Sequence, residues 1–156
     1  HVQSSSSERD VPILEWSQGF MAPNLAEDEM LTDITVATWP AKHVYGFAEL
    51  ARRKGDFALA GAAVLLDFDG EVISRAALAL MGVEVCPVRV IDAENLLVGE
   101  MPSDELFREA AEHATAVAGI DDVHASASYR KKVAVVMARR ALEQASNRRK
   151  IRALAA

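Results

Sequence analysis

Cysteine is almost missing from this sequence, since the 156 residues include Cys86 alone. One cysteine excludes an internal disulfide and any zinc or iron–sulfur centre that several cysteines would hold. This usage is typical of proteins in a reducing compartment, so we predict a cytoplasmic location. The four histidines are scattered and form no HExxH motif, so we expect no metal site in this chain.

Long apolar runs and an excess of positive charge are missing as well. No run reaches the roughly 18 apolar residues that a membrane-spanning helix needs, so we predict no membrane span. The net charge of −6 argues against a nucleic-acid binder, which usually carries a basic excess. Neither GxGxxG nor GxxxxGK(S/T) occurs, so a Rossmann dinucleotide fold or a P-loop has no support.

The first forty residues carry short strand signals. Residues 11–20, VPILEWSQGF, favour a short strand followed by a helical turn, and residues 32–39, TDITVATW, alternate like a strand. A stretch with proline and glycine at 40–46 is typical of a linker. We therefore divide the chain into residues 1–42 and residues 43–156.

The second part shows strands first and helices afterwards. The run 57–66, FALAGAAVLL, predicts a strand buried on both faces, and a helix stays open as the alternative. The Asp-Gly dipeptide at 69–70 predicts a hairpin with a return strand. Two helices follow, one capped by Ser103 and one over about 127–146. This order predicts an α+β fold, a small antiparallel sheet of about three strands with a helical layer on one face.

The last helix is expected to separate apolar from charged residues. The apolar face would contain Tyr129, Val133, Val136, Met137 and Ala141, and the charged face would contain Arg130, Lys131, Lys132, Arg139 and Arg140. The basic tail NRRKIRALAA is expected to fray.

Two polar clusters allow a functional interpretation beside a structural one. Arg52, Arg53, Lys54 and Asp56 form either a solvated loop with an internal ion pair or a loop that faces an anion such as a phosphate or a reduced flavin. The stretch 121–124, with two aspartates and a histidine, supplies either a base or ligand, or the acidic entry to the last helix.

Four segments of the chain resemble the flavoprotein (medium) subunit of molybdenum hydroxylases, the group of carbon monoxide dehydrogenase and xanthine dehydrogenase. The segment YGFAELARRKGDFALAGAAVLL resembles that family's y..f.RR.GDfA pattern. Upstream, VPILEWSQGFMAPNLAEDEMLTDITVATWP resembles the end of the family's FAD-binding domain. Downstream, CPVRVIDAENLLVG and DDVHASASYRKKVAVVMARRAL resemble its P.R....E..L.G element and its D.haSA.YR helix. Together they extend from about residue 11 to about residue 146.

This resemblance implies a fold and a set of flavin contacts. Residues 1–42 would be the C-terminal tail of the FAD-binding domain, and residues 43–156 a domain of antiparallel strands with a three-helix layer. The family pattern places flavin contacts at Leu31 and at Phe47-Ala48. Relatives such as xanthine dehydrogenase have a lysine at the position of Ala48, so only a backbone contact could remain there. The resemblance also places Arg52 and Asp56 near the isoalloxazine in a positioning role, and it implies no catalytic residue.

The resemblance further implies cofactors and partners. Subunits of this family carry FAD and pass electrons from a molybdenum-cofactor large subunit, through the 2Fe–2S clusters of a small subunit, to an acceptor. The glycine-rich loops that hold the FAD pyrophosphate lie upstream of everything in this chain, which starts at His1. We therefore expect a piece of a longer polypeptide or one half of a split subunit, with little FAD binding by itself. The alternative is a non-catalytic subunit-docking module that has the family fold and no bound FAD.

Overall fold

The computed structural model describes residues 1–154, apart from the side chain of Ala153. The chain divides into two compact units, His1–Trp39 and a second unit that begins at Pro40. Each unit has its own β-sheets.

The first unit consists of very short elements. Strands β1 (Val2–Gln3), β2 (Glu8–Arg9) and β5 (Met30–Leu31) form one antiparallel sheet, β3 (Ser17–Gly19) pairs with β4 (Ala22–Pro23), and helix α1 (Ile13–Trp16) precedes β3. The Arg9 guanidinium donates two hydrogen bonds of 2.7 Å to the carboxylate of Glu29. This hydrogen bonding lowers the pKa of Glu29 to about 2.

Two sequence predictions for this unit are wrong. Residues 11–20 form the helix first and the strand afterwards, because the turn at Phe20 and Met21 pairs Ser17–Gly19 with Ala22–Pro23. Residues 32–39 contain no strand. Ile34 and Val36 each remain 77 % exposed, so within residues 1–154 the alternating pattern packs against no other element.

The second unit contains a four-stranded antiparallel sheet in the order β6-β7-β8-β9. The strands are β6 (Val44–Ala51), β7 (Ala58–Asp69), β8 (Val72–Met81) and β9 (Val88–Arg89). The run predicted over 57–66 is therefore a strand, and the helical alternative is wrong. The predicted hairpin between β7 and β8 is confirmed, with Gly70 at a φ of +56° in its turn. The predicted sheet of about three strands has a short fourth strand at its edge.

Helices cover one face of this sheet. They are α2 (Ile91–Leu97), α3 (Asp104–Glu112), a 3-10 helix (His113–Ala116) and α4 (Ala127–Leu154). The predicted cap of α3 is confirmed, since the Ser103 hydroxyl accepts a hydrogen bond from the N–H of Leu106 at 3.1 Å. The α+β class with its antiparallel sheet and helical layer is thus confirmed.

The two faces of the sheet differ in burial. Side chains on the helical side form the core, including Val44, Ala62, Val64, Leu66, Leu78 and Leu80. On the other side the strands present residues that stay exposed or partly exposed, including Tyr45, Phe47, Glu49, Ala63, Leu65, Ala77 and Ala79. We call this second surface the open face.

Helix α4 lies against β6 at one edge of the sheet. A Cβ placed on Gly46 would lie 1.8 Å from the carbonyl oxygen of Ala141, so the close approach of helix and strand requires a glycine here.

Three α4 side chains, four residues apart, bind the main chain of β6 and the residue before it. Gln144 Oε1 accepts from the N–H of Phe47 at 3.1 Å, Arg148 donates to the carbonyl of Tyr45, and Arg152 donates to the carbonyl of His43 at 2.9 Å. Four helical residues rise about 6 Å and two strand residues about 6.6 Å, so the two spacings stay in step. These contacts hold the end of α4, and the predicted fraying after residue 146 is wrong over the described residues.

Candidate functional site

The charged loop at residues 52–57 joins β6 to β7 at one end of the sheet. The pairing of β6 with β7 shifts register just before the loop. Gly55 has a φ of +81°, a conformation that favours glycine. The N–H of Asp56 donates to the carbonyl of Arg53 at 3.1 Å and closes a turn. The loop therefore has a defined backbone.

Asp56 organises the charges of this loop. Its Oδ2 lies 3.4 Å from Arg52 Nη2 and 3.5 Å from Arg53 Nε, and its Oδ1 accepts from the N–H of Phe57 at 3.0 Å. The Arg52 and Arg53 side chains remain 44 % and 80 % exposed. The internal ion pairs are therefore present. With Lys54, the loop still carries two positive charges beyond the one that Asp56 balances, which can attract an anion.

Phe47 and Ala48 have opposite orientations on β6. The Phe47 ring is on the open face and 46 % exposed, whereas Ala48 is 9 % exposed and belongs to the core. The N–H of Phe47 points outward, to Gln144. Main-chain groups alternate in direction along an antiparallel strand, so those of Ala48 point toward β7. Phe57, at the end of the loop, is 94 % exposed.

Leu31 lies in the first unit, on β5. It is 40 % exposed and lines an open cavity of about 160 Å³ together with His1, Val11, Trp16 and Ile34. Sites that enclose a drug-sized ligand measure about 300–1,000 Å³. This cavity can therefore hold only part of such a ligand.

The structure thus brings some of the predicted site residues together and places one of them elsewhere. Arg52 and Asp56 are in contact, and Phe47 and Ala48 lie on the strand that leads into their loop, while Leu31 belongs to the other unit. A half-exposed phenyl ring can stack on a planar ring system, and a cationic loop can balance a negative charge that develops on it. The exposed residues of the second unit therefore offer an aromatic surface and a positive charge, which suit a planar ring system that carries negative charge. Among residues 1–154, no group of three or more His, Cys, Asp and Glu side chains could hold a metal ion.

Arg130 is a further polar residue at this end of the sheet, and its predicted position is wrong. The sequence pattern predicts it on the charged, solvated face of α4, but it is 3 % exposed. Its Nη1 donates to the carbonyls of Leu59 at 2.6 Å and Gly82 at 2.8 Å, and its Nη2 to Asp122 Oδ2 at 2.6 Å. The spacing contains a signal for this burial, because residue 130 shares a helical face with the buried residues at 134, 137 and 141.

The acidic stretch before α4 forms the entry to that helix. Asp121 Oδ1 accepts from the N–H of Ala127 at 2.7 Å, and Asp122 Oδ1 accepts from the N–H groups of His124 and Ala125 at 2.8 and 2.9 Å. These backbone hydrogen bonds, with the side-chain bond from Arg130, lower the pKa of Asp122 to about 2. Of the two interpretations of residues 121–124, the geometry therefore supports the acidic entry to the last helix.

Comparison with known proteins identifies one matching family. The model of the CO dehydrogenase flavoprotein C-terminal domain matches residues 45–145. The match covers the sheet, the charged loop, α2, α3 and most of α4.

Individual relatives extend the similarity to the first unit. The chain is 34 % identical over 148 residues to the nicotine 6-hydroxylase medium subunit of Paenarthrobacter nicotinovorans, covering 94 % of this chain and 52 % of that protein. It is also 34 % identical over 143 residues to the carbon monoxide dehydrogenase medium chain of Afipia carboxidovorans, covering 91 % of this chain and 50 % of that one. The chain spans about half the length of the curated relatives it matches.

Solved structures share the fold. A carbon monoxide dehydrogenase from Hydrogenophaga pseudoflava, which lacks the Mo-pyranopterin moiety of the molybdenum cofactor, matches with a TM-score of 0.88 at 30 % identity, over 94 % of this chain and 52 % of that one. Quinoline 2-oxidoreductase from Pseudomonas putida 86 matches with a TM-score of 0.81 at 31 % identity, over 94 % and 51 %. Within residues 1–154, no helix has both the length and the apolarity to cross a membrane.

Proposed function

Because the chain belongs to the family of the CO dehydrogenase flavoprotein C-terminal domain, we propose that it is the C-terminal part of the FAD-carrying electron-transfer subunit of a molybdenum hydroxylase. The observation that carries the proposal is the family match over residues 45–145, which includes the cationic loop and the exposed Phe47. When bound, FAD would supply the redox chemistry of an electron relay from iron–sulfur clusters to an external acceptor.

This chain's own residues would hold and orient one end of the cofactor. Phe47 offers a ring on the open face, and the Gln144 side chain fixes the backbone at that position. Arg52, held by Asp56, keeps a positive charge at the loop. These groups would position the isoalloxazine and stabilise negative charge on it, whereas Ala48 is buried and could contribute only through its backbone.

Exposed apolar residues support the proposal that residues 1–42 are the tail of a larger FAD-binding domain. In the first unit Ile13, Leu14, Phe20, Met21 and Met30 are each at least 67 % exposed. So much apolar surface on so short a segment is typical of a surface that another part of a protein covers. For this unit the family pattern proposes Leu31, which lines its cavity, as a flavin contact.

The relatives supply the proposed partners. Proteins called medium subunit or medium chain are components of larger complexes, and we propose that this chain assembles with a molybdenum-cofactor subunit and a subunit with 2Fe–2S clusters. The FAD-domain half with the pyrophosphate loops would lie elsewhere in the same polypeptide or on a companion chain. We also propose a cytoplasmic location, on the cysteine usage.

Native mass spectrometry of the protein isolated from its source, with a visible spectrum of the same sample, tests this proposal. We expect an assembly with larger chains, one FAD for each copy of this chain and the absorption bands of oxidised flavin. A chain of 16.9 kDa that stays alone and colourless would contradict it.

Site variants in that assembly test the residues. Phe47→Ala and Arg52→Gln should lower the FAD content of the purified assembly, because each removes a contact to the isoalloxazine end. Arg108→Gln is the matched control, because Arg108 forms an exposed ion pair of 2.9 Å with Glu105 on α3. Full flavin content in both the Phe47 and the Arg52 variant would exclude these residues from the cofactor site.

The alternative function, a subunit-docking module without FAD, has one observation in its favour. Phe57 is 94 % exposed beside three cationic side chains, and exposed aromatic residues with arginine are enriched at protein interfaces. The flavin content of the purified wild-type assembly separates the two functions, because an assembly built on a docking module would contain no flavin. The docking function further predicts that Phe57→Ser loses the partner chains.

A further inference from the structure

Arg130 connects three segments at the end of the sheet that carries the charged loop. From the first turns of α4 it reaches the start of β7 at Leu59, the turn after β8 at Gly82 and the acidic stretch at Asp122. Leu59 is the second residue after Phe57, so one of these bonds lies where the 52–57 loop enters β7, the point that we call the foot of the loop. We propose that Arg130 is the positioning residue that fixes the foot of this loop and thereby the place where the loop presents Arg52 and Asp56.

Close packing at Gly82 strengthens the connection to the loop. Gly82 has a φ of +73°, and a Cβ added there would lie 2.7 Å from the carbonyl oxygen of Ala58. The turn after β8 therefore rests directly on the first residue of β7. Arg130 joins both segments through one nitrogen, so a shift of α4 would move the loop's end together with the turn.

The energetics of the guanidinium favour positioning over stabilisation. A buried ion pair is weak evidence for stability, because desolvation offsets much of the attraction. Arg130 Nε is buried and has no hydrogen-bond partner in the described part of the chain, which adds a further cost. What the planar fork provides is a fixed geometry, with donors aimed at two carbonyls and a carboxylate at once. A lysine ammonium cannot reproduce that arrangement.

Hydrogen exchange of the full chain tests the proposal without any cofactor. Arg130→Lys should raise the exchange rate of the Asp56 amide, which closes the turn in the loop, at least tenfold. The Ile73 amide, which donates to Glu100 at the other end of β8, should change less than twofold. Arg139→Lys is the matched control, because Arg139 is a half-exposed arginine of the same helix that pairs with Glu143 at 2.7 Å. It should leave both rates unchanged.

A second variant keeps the test decisive if Arg130→Lys does not fold. Asp122→Asn retains Arg130 and its two carbonyl contacts but removes the charge that compensates it. It should raise exchange at Asp56 by a smaller factor, again with little effect at Ile73. Equal acceleration at both amides, in whichever variant folds, would mean a general loss of stability and would overturn the proposal. Unchanged exchange at Asp56 would overturn it as well.

That the loop faces a flavin rests on the proposed function, and a separate measurement tests it. In the flavin-loaded assembly, Arg130→Lys should shift the midpoint potential of the flavin, and Arg139→Lys should not. Faster loop exchange together with a shifted potential supports both the positioning role and the flavin site. Faster loop exchange with an unchanged potential supports the positioning role and contradicts the assignment of the loop to the cofactor.

Discussion

Replacement of Gly46 by alanine should strongly destabilise the second unit, although it adds only one methyl group. Gly46 lies in the middle of β6, on the side that faces α4. The added Cβ would lie 1.8 Å from the carbonyl oxygen of Ala141, 2.6 Å from its carbonyl carbon and 3.0 Å from its Cα. All three atoms belong to the backbone of a helix, so no side-chain rotation can relieve the overlap.

The size of the effect follows from this geometry. Ordinary contact begins at 3.4 Å, so helix and strand must separate by about 1.6 Å at this point. Overpacking that side chains can absorb costs about 1–3 kcal/mol. Here the movement would also strain the three hydrogen bonds between α4 and the β6 region, each worth about 1 kcal/mol. We therefore expect Gly46→Ala to lower the free energy of unfolding by at least about 3 kcal/mol.

Urea denaturation followed by far-UV circular dichroism measures this loss. The signal reports the second unit, since α2, α3 and α4 all belong to it. Gly61→Ala is the matched control: it lies on the neighbouring strand, and its nearest contact, at 3.0 Å, is the flexible Met81 side chain. The control should cost about 1 kcal/mol, at the low end of the range for overpacking that side chains absorb. If Gly46→Ala unfolds at the same urea concentration as Gly61→Ala, the close approach of α4 to β6 is refuted.

Three further substitutions have distinct expected outcomes. The pKa of Asp122 is lowered to about 2 in the folded chain, so its contribution to stability is complete above its ordinary pKa and is lost as the pH falls from about 5 to about 2. Asp122→Asn should therefore make the free energy of unfolding depend less on pH over that range. An unchanged pH dependence would contradict the lowered pKa of Asp122. Glu94→Gln should lower the free energy of unfolding, measured with urea, by about 2 kcal/mol, because it breaks the 2.5 Å ion pair between a buried carboxylate and Arg89. The Arg89 side chain is 39 % exposed, so solvent weakens the pair. A loss under about 0.5 kcal/mol would mean that the pair contributes no more than an ordinary surface pair. Phe57→Ser should leave the urea midpoint unchanged, since the ring is 94 % exposed, and a lower midpoint would show that the ring packs in the folded chain.

The elements that the sequence predicts well depend on local chemistry. The Asp-Gly hairpin and the Ser103 cap each need a few adjacent residues, and both form as expected. The segment 32–39 has the right alternation for a strand, but alternation predicts a strand only if a neighbour is available for pairing. That neighbour depends on the rest of the unit, which no local pattern contains.

The candidate site is predicted less completely, because its support comes from distant residues. The motif at 47–56 locates the loop and the exposed ring, but Gln144 and Arg130, which hold them, are more than seventy residues away in the chain. The charge of Arg130 predicts a solvent-exposed side chain. Its helical position is the better indicator, since it falls on the stripe of buried residues that packs against the sheet.

Helix α4 therefore supports the proposed site at two separate points. Near its start, Arg130 binds the carbonyl at the foot of the charged loop. Four turns later, Gln144 binds the N–H of Phe47 on the strand that enters the loop. A segment held at both ends by one rigid helix keeps a fixed geometry even though its middle, with Arg53 and Phe57, is exposed. This arrangement explains how a loop with few buried atoms can present charges at a defined position, which is what a site that orients a cofactor requires.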